Sequence, residues 1–203
     1  MRALLPPADF GTRFSIPTEE ISADGQWWRL ARVSRPRLVD WDGRPGESRF
    51  VPKIKPHEML YLAADKTTAF WEVFGRRLLP LVPEDRVLPP TVLAERQWVK
   101  FEIPSQLKVF PATAVSAIRD IGGSNMSFHG EWTVSQAWGR ALWEHPAQID
   151  GIVYRSDKNG LSCLALFRRP DRKLLDRISA EKRGLLAHDG TFLTAMRKRG
   201  LLG

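Results

Sequence analysis

MLYLAADKTTAFWEVFGRR, residues 59 to 77, changes its periodicity at one polar joint. MLYLAA, 59 to 64, is a short apolar run suited to a buried strand. Asp65 or Thr67 then supplies an N-cap for a helix through Arg77, whose last turn carries Arg76 and Arg77 where the dipole favours cations. Pro80 and Pro83 stop it. Within that helix Glu72 is flanked by Phe70, Trp71, Val73 and Phe74. An acid among large apolar neighbours needs a solvent-facing side or a specific partner. Glu72 shares a helix face with Thr68, Ala69, Gly75 and Arg76. One reading is therefore an exposed i,i+4 ion pair with Arg76, and the other a carboxylate held for chemistry.

Upstream, residues 1 to 25 read as an irregular lead-in punctuated by Pro6, Pro7, Gly11 and Pro17. WWRLARV, 27 to 33, reads as a first strand. Residues 34 to 56, rich in Pro, Gly, Asp and Arg, read as a long loop with a short strand near Arg49, and a loop of that length is often functional. Downstream, QWVKFEI (97 to 103) alternates as a strand, KVFPA (108 to 112) is a short strand, and TVSQAWGRALWE (133 to 144) fits a helix ended by Pro146. GIVYRS (151 to 156) and SCLALF (162 to 167) flank a DKNG turn as a hairpin. Two amphipathic segments follow, one from near Pro170 and one from Asp189 to Arg199. Strands and helices do not alternate regularly, so the fold class is α+β, one domain of mixed or antiparallel strands with flanking helices.

With 203 residues, 43% of them hydrophobic and 27% charged, the chain suffices for one ordinary core. No apolar run approaches a membrane span, and the run Ala3 to Leu5 is too short for a secretory signal. The single Cys163 excludes an intrachain disulfide and, within LSCLALF, reads as a buried small hydrophobe. A soluble cytoplasmic protein is expected. The four histidines lack metal-ligand spacing, and no glycine-rich phosphate loop is present. The net charge of +8, concentrated after Arg168, suits nucleic acid, an acidic partner or a phosphorylated small molecule.

Four segments together resemble the RES domain family, the toxin half of Xre-RES toxin–antitoxin pairs. They are WWRLARV at 27 to 33, SRF at 48 to 50 with LYLAADKTTAFWEV at 60 to 73, EWTVSQAWGRALW at 131 to 143, and DGIVYRSDKNGLSCLALF at 150 to 167. The resemblance implies a RES-like catalytic core over residues 26 to 170, with 171 to 203 a basic helical extension of the same domain. It also implies a fold like that of the ADP-ribosyltransferases and an attack on NAD⁺ that breaks the nicotinamide–ribose bond, passing ADP-ribose to water, phosphate or a protein side chain.

Carried over by motif, the implied site comprises Arg29, Arg49, Tyr61, Glu72, Thr133 and Ser156. Glu72, Arg49 and Tyr61 are the expected catalytic residues; Arg29, Arg49, Tyr61, Thr133 and Ser156 are expected to hold NAD⁺. A carboxylate stabilises the positive charge that builds on ribose as the bond breaks. Arginine forks suit a pyrophosphate, an aromatic face suits cationic nicotinamide, and hydroxyls orient ribose or amide. The family's usual Gly-Gly-Arg-Trp-Asn is here Glu47-Ser48-Arg49-Phe50-Val51. The implied partner is an Xre-type helical antitoxin; self-association is left open. Two other readings stand beside this one. Eight tryptophans with a basic surface suit a nucleic-acid-binding module, although most read as core, and the altered segment around Arg49 suits an inactive interaction domain.

Overall fold

A computed structural model describes the chain apart from residues 1–2, 22–24, 36, 40, 42–44, 55–56, 104–105, 170–177 and 203. Its strands are β1 Glu19–Glu20, β2 Gln26–Arg32, β3 Met59–Ala63, β4 Arg96–Glu102, β5 Lys108–Pro111, β6 Gly151–Arg155, β7 Ser162–Phe167 and β8 Ser179–Leu185. They form one sheet in the order β1-β5-β6-β7-β3-β2-β4-β8. All described pairs are antiparallel except β5 with β6. The helices are α1 Phe10–Arg13, α2 Lys66–Leu78, α3 Pro90–Ala94, α4 Val115–Asp120, α5 Asn125–His129, α6 Trp132–Glu144 and α7 Gly190–Lys198. The α+β reading from sequence holds, as a single domain with helices flanking a mixed sheet.

Pairing strength is uneven. β2 pairs with β4 along its whole length, from Gln26 with Glu102 to Arg32 with Arg96, and β3 pairs with β7 from Met59 to Ala63. β2 and β3, by contrast, meet at one register position, Trp28 with Ala63. The sheet therefore consists of two well-paired halves joined at a point.

Side-chain alternation on β3 sends Met59, Tyr61 and Ala63 to one cluster and Leu60 and Leu62 to the other, giving the sheet a core on each face. α2 covers the junction, contacting both β2 and β3. It buries Phe70, Trp71, Phe74 and Leu78, and full burial of such a side chain is worth roughly 1.5–3 kcal/mol. Those four anchors fix the rotation of the helix and hence the direction of Glu72. Asp65 is the N-cap, accepting from Thr68 N at 2.7 Å.

Two sequence expectations are corrected. The segment around Arg49 contains no strand; residues 47 to 51 are bends held by side chains of neighbouring elements. The expected helical extension 171–203 begins, where described, as an edge strand, β8, paired with β4, and only then becomes α7. SAEKRGL carries no apolar alternation because nearly all of it is exposed; its place comes from backbone pairing, and its charges suit a sheet edge. The amphipathic segment expected near Pro170 lies outside the described residues. Asp189 caps α7 through Phe192 N and accepts from Lys66 Nζ at 2.6 Å, tying this helix to α2. Among the described residues no helix is long and apolar enough to cross a membrane.

Gly139 lets α6 approach the Arg49 segment closely, since a Cβ there would meet Phe50 O at 2.5 Å. Gly→Ala inside a helix ordinarily gains about 1 kcal/mol. Gly139→Ala is expected to lose about 1–3 kcal/mol instead, because the opposing atom is backbone. Urea unfolding midpoints of the two proteins check the sign.

Candidate active site

Where β2 and β3 part, a cavity of about 420 Å³ opens. One wall is β2 from Trp28 to Arg32, another is β3 from Tyr61 to Ala63, and α2 contributes Ala69, Glu72, Val73 and Arg76. Arg49 with its neighbours, Arg35, Arg96, Trp132, Tyr154 and the turn residues Asp157 and Lys158 complete it.

The Arg49 segment lacks regular structure, so its shape depends on side-chain anchors. Tyr61 Oη accepts from Phe50 N at 3.1 Å and donates to Ser48 Oγ at 3.2 Å. From α6, Gln136 Nε2 donates to Ser48 O at 2.9 Å and to Gly46 O at 3.3 Å. Arg49 itself is buried. Its Nη1 donates to Phe128 O at 3.2 Å, its Nη2 pairs with Asp157 Oδ2 at 2.9 Å, and its guanidinium lies 6.0 Å from the Tyr154 ring centroid. The fork expected to grip a pyrophosphate is thus already closed on protein groups at both terminal nitrogens.

Glu72 accepts from Ser156 Oγ at 2.6 Å, and Ser156 Oγ in turn accepts from Lys158 N at 3.2 Å. The ion pair with Arg76 is not formed; Arg76 lies over the Trp132 ring at 3.6 Å. The helix face that Glu72 and Arg76 were expected to share is covered by the β6–β7 turn. Asn159 Nδ2 donates to Thr68 Oγ1 at 2.9 Å, and the Lys158 stem runs so close to Gly75 that a Cβ there would sit 2.9 Å from Lys158 Cδ.

Glu72 is exposed and lines the cavity. Protein crowding around the carboxyl makes desolvation the leading influence, and it raises the pKa. The Ser156 hydrogen bond and the charges of Arg49 and Lys158 oppose that rise, while Asp157 adds to it. Burial alone would lift Asp157 too, but the Lys158 hydrogen bond and Arg49 hold it below the ordinary carboxylate range. The neighbouring acids are driven in opposite directions, as happens where one carboxylate is balanced by cations and another is kept short of water.

Of the expected residues, Arg29, Arg49, Tyr61 and Glu72 line the cavity from β2, the Arg49 segment, β3 and α2 respectively, and Ser156, itself buried, stands behind Glu72. It does not bring Thr133 there. Thr133 is exposed in the first turn of α6, and its neighbour Trp132 lines the cavity instead. Asp157, Tyr154 and Arg76 were missed; the DKNG turn signal lay beside the first, but nothing in the sequence paired that turn with Arg49. Trp27, Trp71, Trp98 and Trp138 are buried, and Trp28, Trp41 and Trp143 pack partly buried against the two cores, so most tryptophans are core, as expected. Cys163 is fully buried, and desolvation pushes its thiol well up.

A RES domain family profile matches residues 26–187. No curated protein matches the sequence. Among solved structures, a chain of the M. tuberculosis MbcT–MbcA toxin–antitoxin complex superposes with a TM-score of 0.55 at 18% identity, covering 82% of this chain and 87% of that one. At that identity the likeness concerns the fold.

Two outcomes are expected of the isolated chain. A folded-state pKa above the unfolded value means that Glu72's contribution to stability is complete below the unfolded pKa and is lost as pH rises through the folded one. Glu72→Gln should therefore gain stability relative to the original protein as pH rises above the unfolded carboxyl pKa of about 4; a difference independent of pH would show a carboxyl equally hydrated in both states. Arg49→Ala should cost about 1–3 kcal/mol by unpairing Phe128 O and Asp157. Arg49→Lys should not restore it, because an ammonium cannot span both acceptors as a planar fork does. Equilibrium unfolding measures both.

Proposed function

The chain belongs to the RES domain family, and on that premise we propose that it is a toxin enzyme that cleaves NAD⁺ between nicotinamide and ribose in the cytoplasm and is neutralised by an Xre-type antitoxin. The observation that supports this most directly is Glu72, fixed by Ser156 on the wall of the cavity at the sheet junction. The cavity's cations, Arg32, Arg35, Arg49, Arg76, Arg96 and Lys158, outnumber its acids, Glu47, Glu72 and Asp157. Such a lining favours an anionic substrate overall, with one carboxylate reserved for a local positive charge.

In the proposed reaction the C1′–N bond breaks and its electron pair passes to the nicotinamide ring nitrogen, which becomes neutral. Positive charge then develops on the ribose. A carboxylate short of water, already oriented by Ser156, stabilises that charge without reorganising. Tyr61 offers its ring to the cationic nicotinamide before cleavage. The backbone edge of β2 beyond Trp28 borders the cavity and can hydrogen-bond an amide as a sheet partner would. The acceptor of the ADP-ribosyl group is water, phosphate or a protein side chain. The similar fold comes from a chain in a toxin–antitoxin complex, which supports a protein partner that closes the cavity mouth.

Release of free nicotinamide from NAD⁺ by the purified chain tests the reading. Glu72→Gln should lower kcat by about 10²–10³, roughly 3–4 kcal/mol, with NAD⁺ binding retained. If the original protein releases none with water, phosphate or a protein acceptor supplied, the chain is an interaction domain built on this fold.

A further inference from the structure

Arg32 ends β2 and Arg96 begins β4, and the two are direct cross-strand partners. Directly opposed side chains of an antiparallel pair share a face, and like charges so placed repel. Their face is the one carrying Trp28, Leu30 and Trp98 toward α2. Arg29, by alternation, points to the other face with Trp27 and Ala31. The Arg96 guanidinium lies 5.6 Å from the Phe74 ring centroid, and its Nε is buried without an acceptor. The Phe74 ring packs against it.

This corner is separate from the Glu72 end. Phe74 is two positions beyond Glu72 on α2, about 200° around the helix. The charges that act on Glu72 are those of Asp157, Arg49 and Lys158, whereas those that act on Arg96 are Arg32, Glu95 and Arg35. Yet Arg32, Arg35 and Arg96 line the same cavity as Glu72. Among the described residues that act on Arg96, Glu95 is the acid. A concentration of guanidinium groups at one end of a cavity is stabilised by an anion that bridges them.

We propose that Arg32 and Arg96, with Arg35 beside them, form a phosphate subsite at the end of the cavity away from Glu72, which takes a phosphoryl group from the adenosine half of the substrate. The assignment rests on the NAD⁺ reading for the direction in which the substrate lies. It moves the anion-binding role from Arg49, whose fork is occupied, to arginines that are not among the site residues implied by the family resemblance. The phosphoryl group belongs either to the diphosphate bridge or to a phosphate ester on the adenosine ribose, in which case the phosphorylated dinucleotide is the preferred substrate.

Calorimetric titration of the intact chain with ADP and with adenosine 2′,5′-bisphosphate tests this without requiring cleavage. Arg32→Gln and Arg96→Gln, singly and together, should weaken binding, the double variant by about tenfold or more. Arg77→Gln, on α2 outside the cavity, controls for net charge and should leave binding unchanged. Loss for both ligands assigns the subsite to the diphosphate; loss confined to the bisphosphate assigns it to a ribose phosphate. Unaltered binding in the double variant, or no binding of either ligand by the original protein, overturns the proposal. Nicotinamide release with unaltered ADP binding in the variants would leave the enzyme reading standing and remove the subsite. Arginine-dependent ADP binding without nicotinamide release would do the reverse.

Discussion

β2 and β3 are neighbours in the sheet, yet Trp28 and Ala63 form their single register pair. Beyond that pair the facing backbone edges diverge, and their N–H and C=O groups must be satisfied by something other than each other. Elsewhere in the sheet this would be a defect. Here the gap is bounded by strongly paired strands on either side, β2 with β4 and β3 with β7, so it keeps its width without collapsing. Helix α2 roofs it, and its buried anchors determine which of its residues look into the gap.

That geometry explains why an acid can stand among aromatic residues. Phe70, Trp71 and Phe74 belong to the buried side of α2, while Glu72 borders the cavity, where the β6–β7 turn comes down on the helix. Ser156, Asp157 and Lys158 lie in succession on that turn. The first donates to Glu72 and the second pairs with both Arg49 and Lys158. Arg49 is thereby neutralised by Asp157 rather than by Glu72, so Glu72 is left near cations that moderate its desolvation without forming an ion pair with it. A carboxylate in that condition interacts strongly with a positive charge brought to it.

The loop carrying Arg49 shows how an irregular segment is given one shape. It has no ladder of its own and is pinned from the sheet by Tyr61 and from α6 by Gln136, with Gly139 permitting the close approach. Replacement of the family's usual Gly-Gly-Arg-Trp-Asn by Glu47-Ser48-Arg49-Phe50-Val51 leaves those anchors in place: Ser48 is their acceptor, and Phe50 and Val51 are fully buried. Tyr61 is accordingly an element of the scaffold as well as a surface of the cavity.

Local chemistry was legible in the chain. The apolar run to Ala64, the Asp65 cap, the DKNG turn and the two hairpin strands each follow from a few consecutive residues, because caps, turns and alternation are short-range properties. The same holds for Glu72 as an anomaly. Other features depended on residues far apart in sequence. The strand SAEKRGL has no apolar signal and exists through its backbone partner β4. Thr133 and Trp132 differ by one helical position, and the packing of α6 decided which reaches the cavity. Arg49 reads as a free cation until the fold brings it 2.9 Å from Asp157, 108 positions later, and Arg32 and Arg96 acquire meaning only as cross-strand partners. Sequence alone determined the locally coded elements and the residue that breaks their pattern; tertiary structure decided the edge strand and which charges neutralise one another, because backbone, Coulomb and hydrogen-bond partners are set by distance in space.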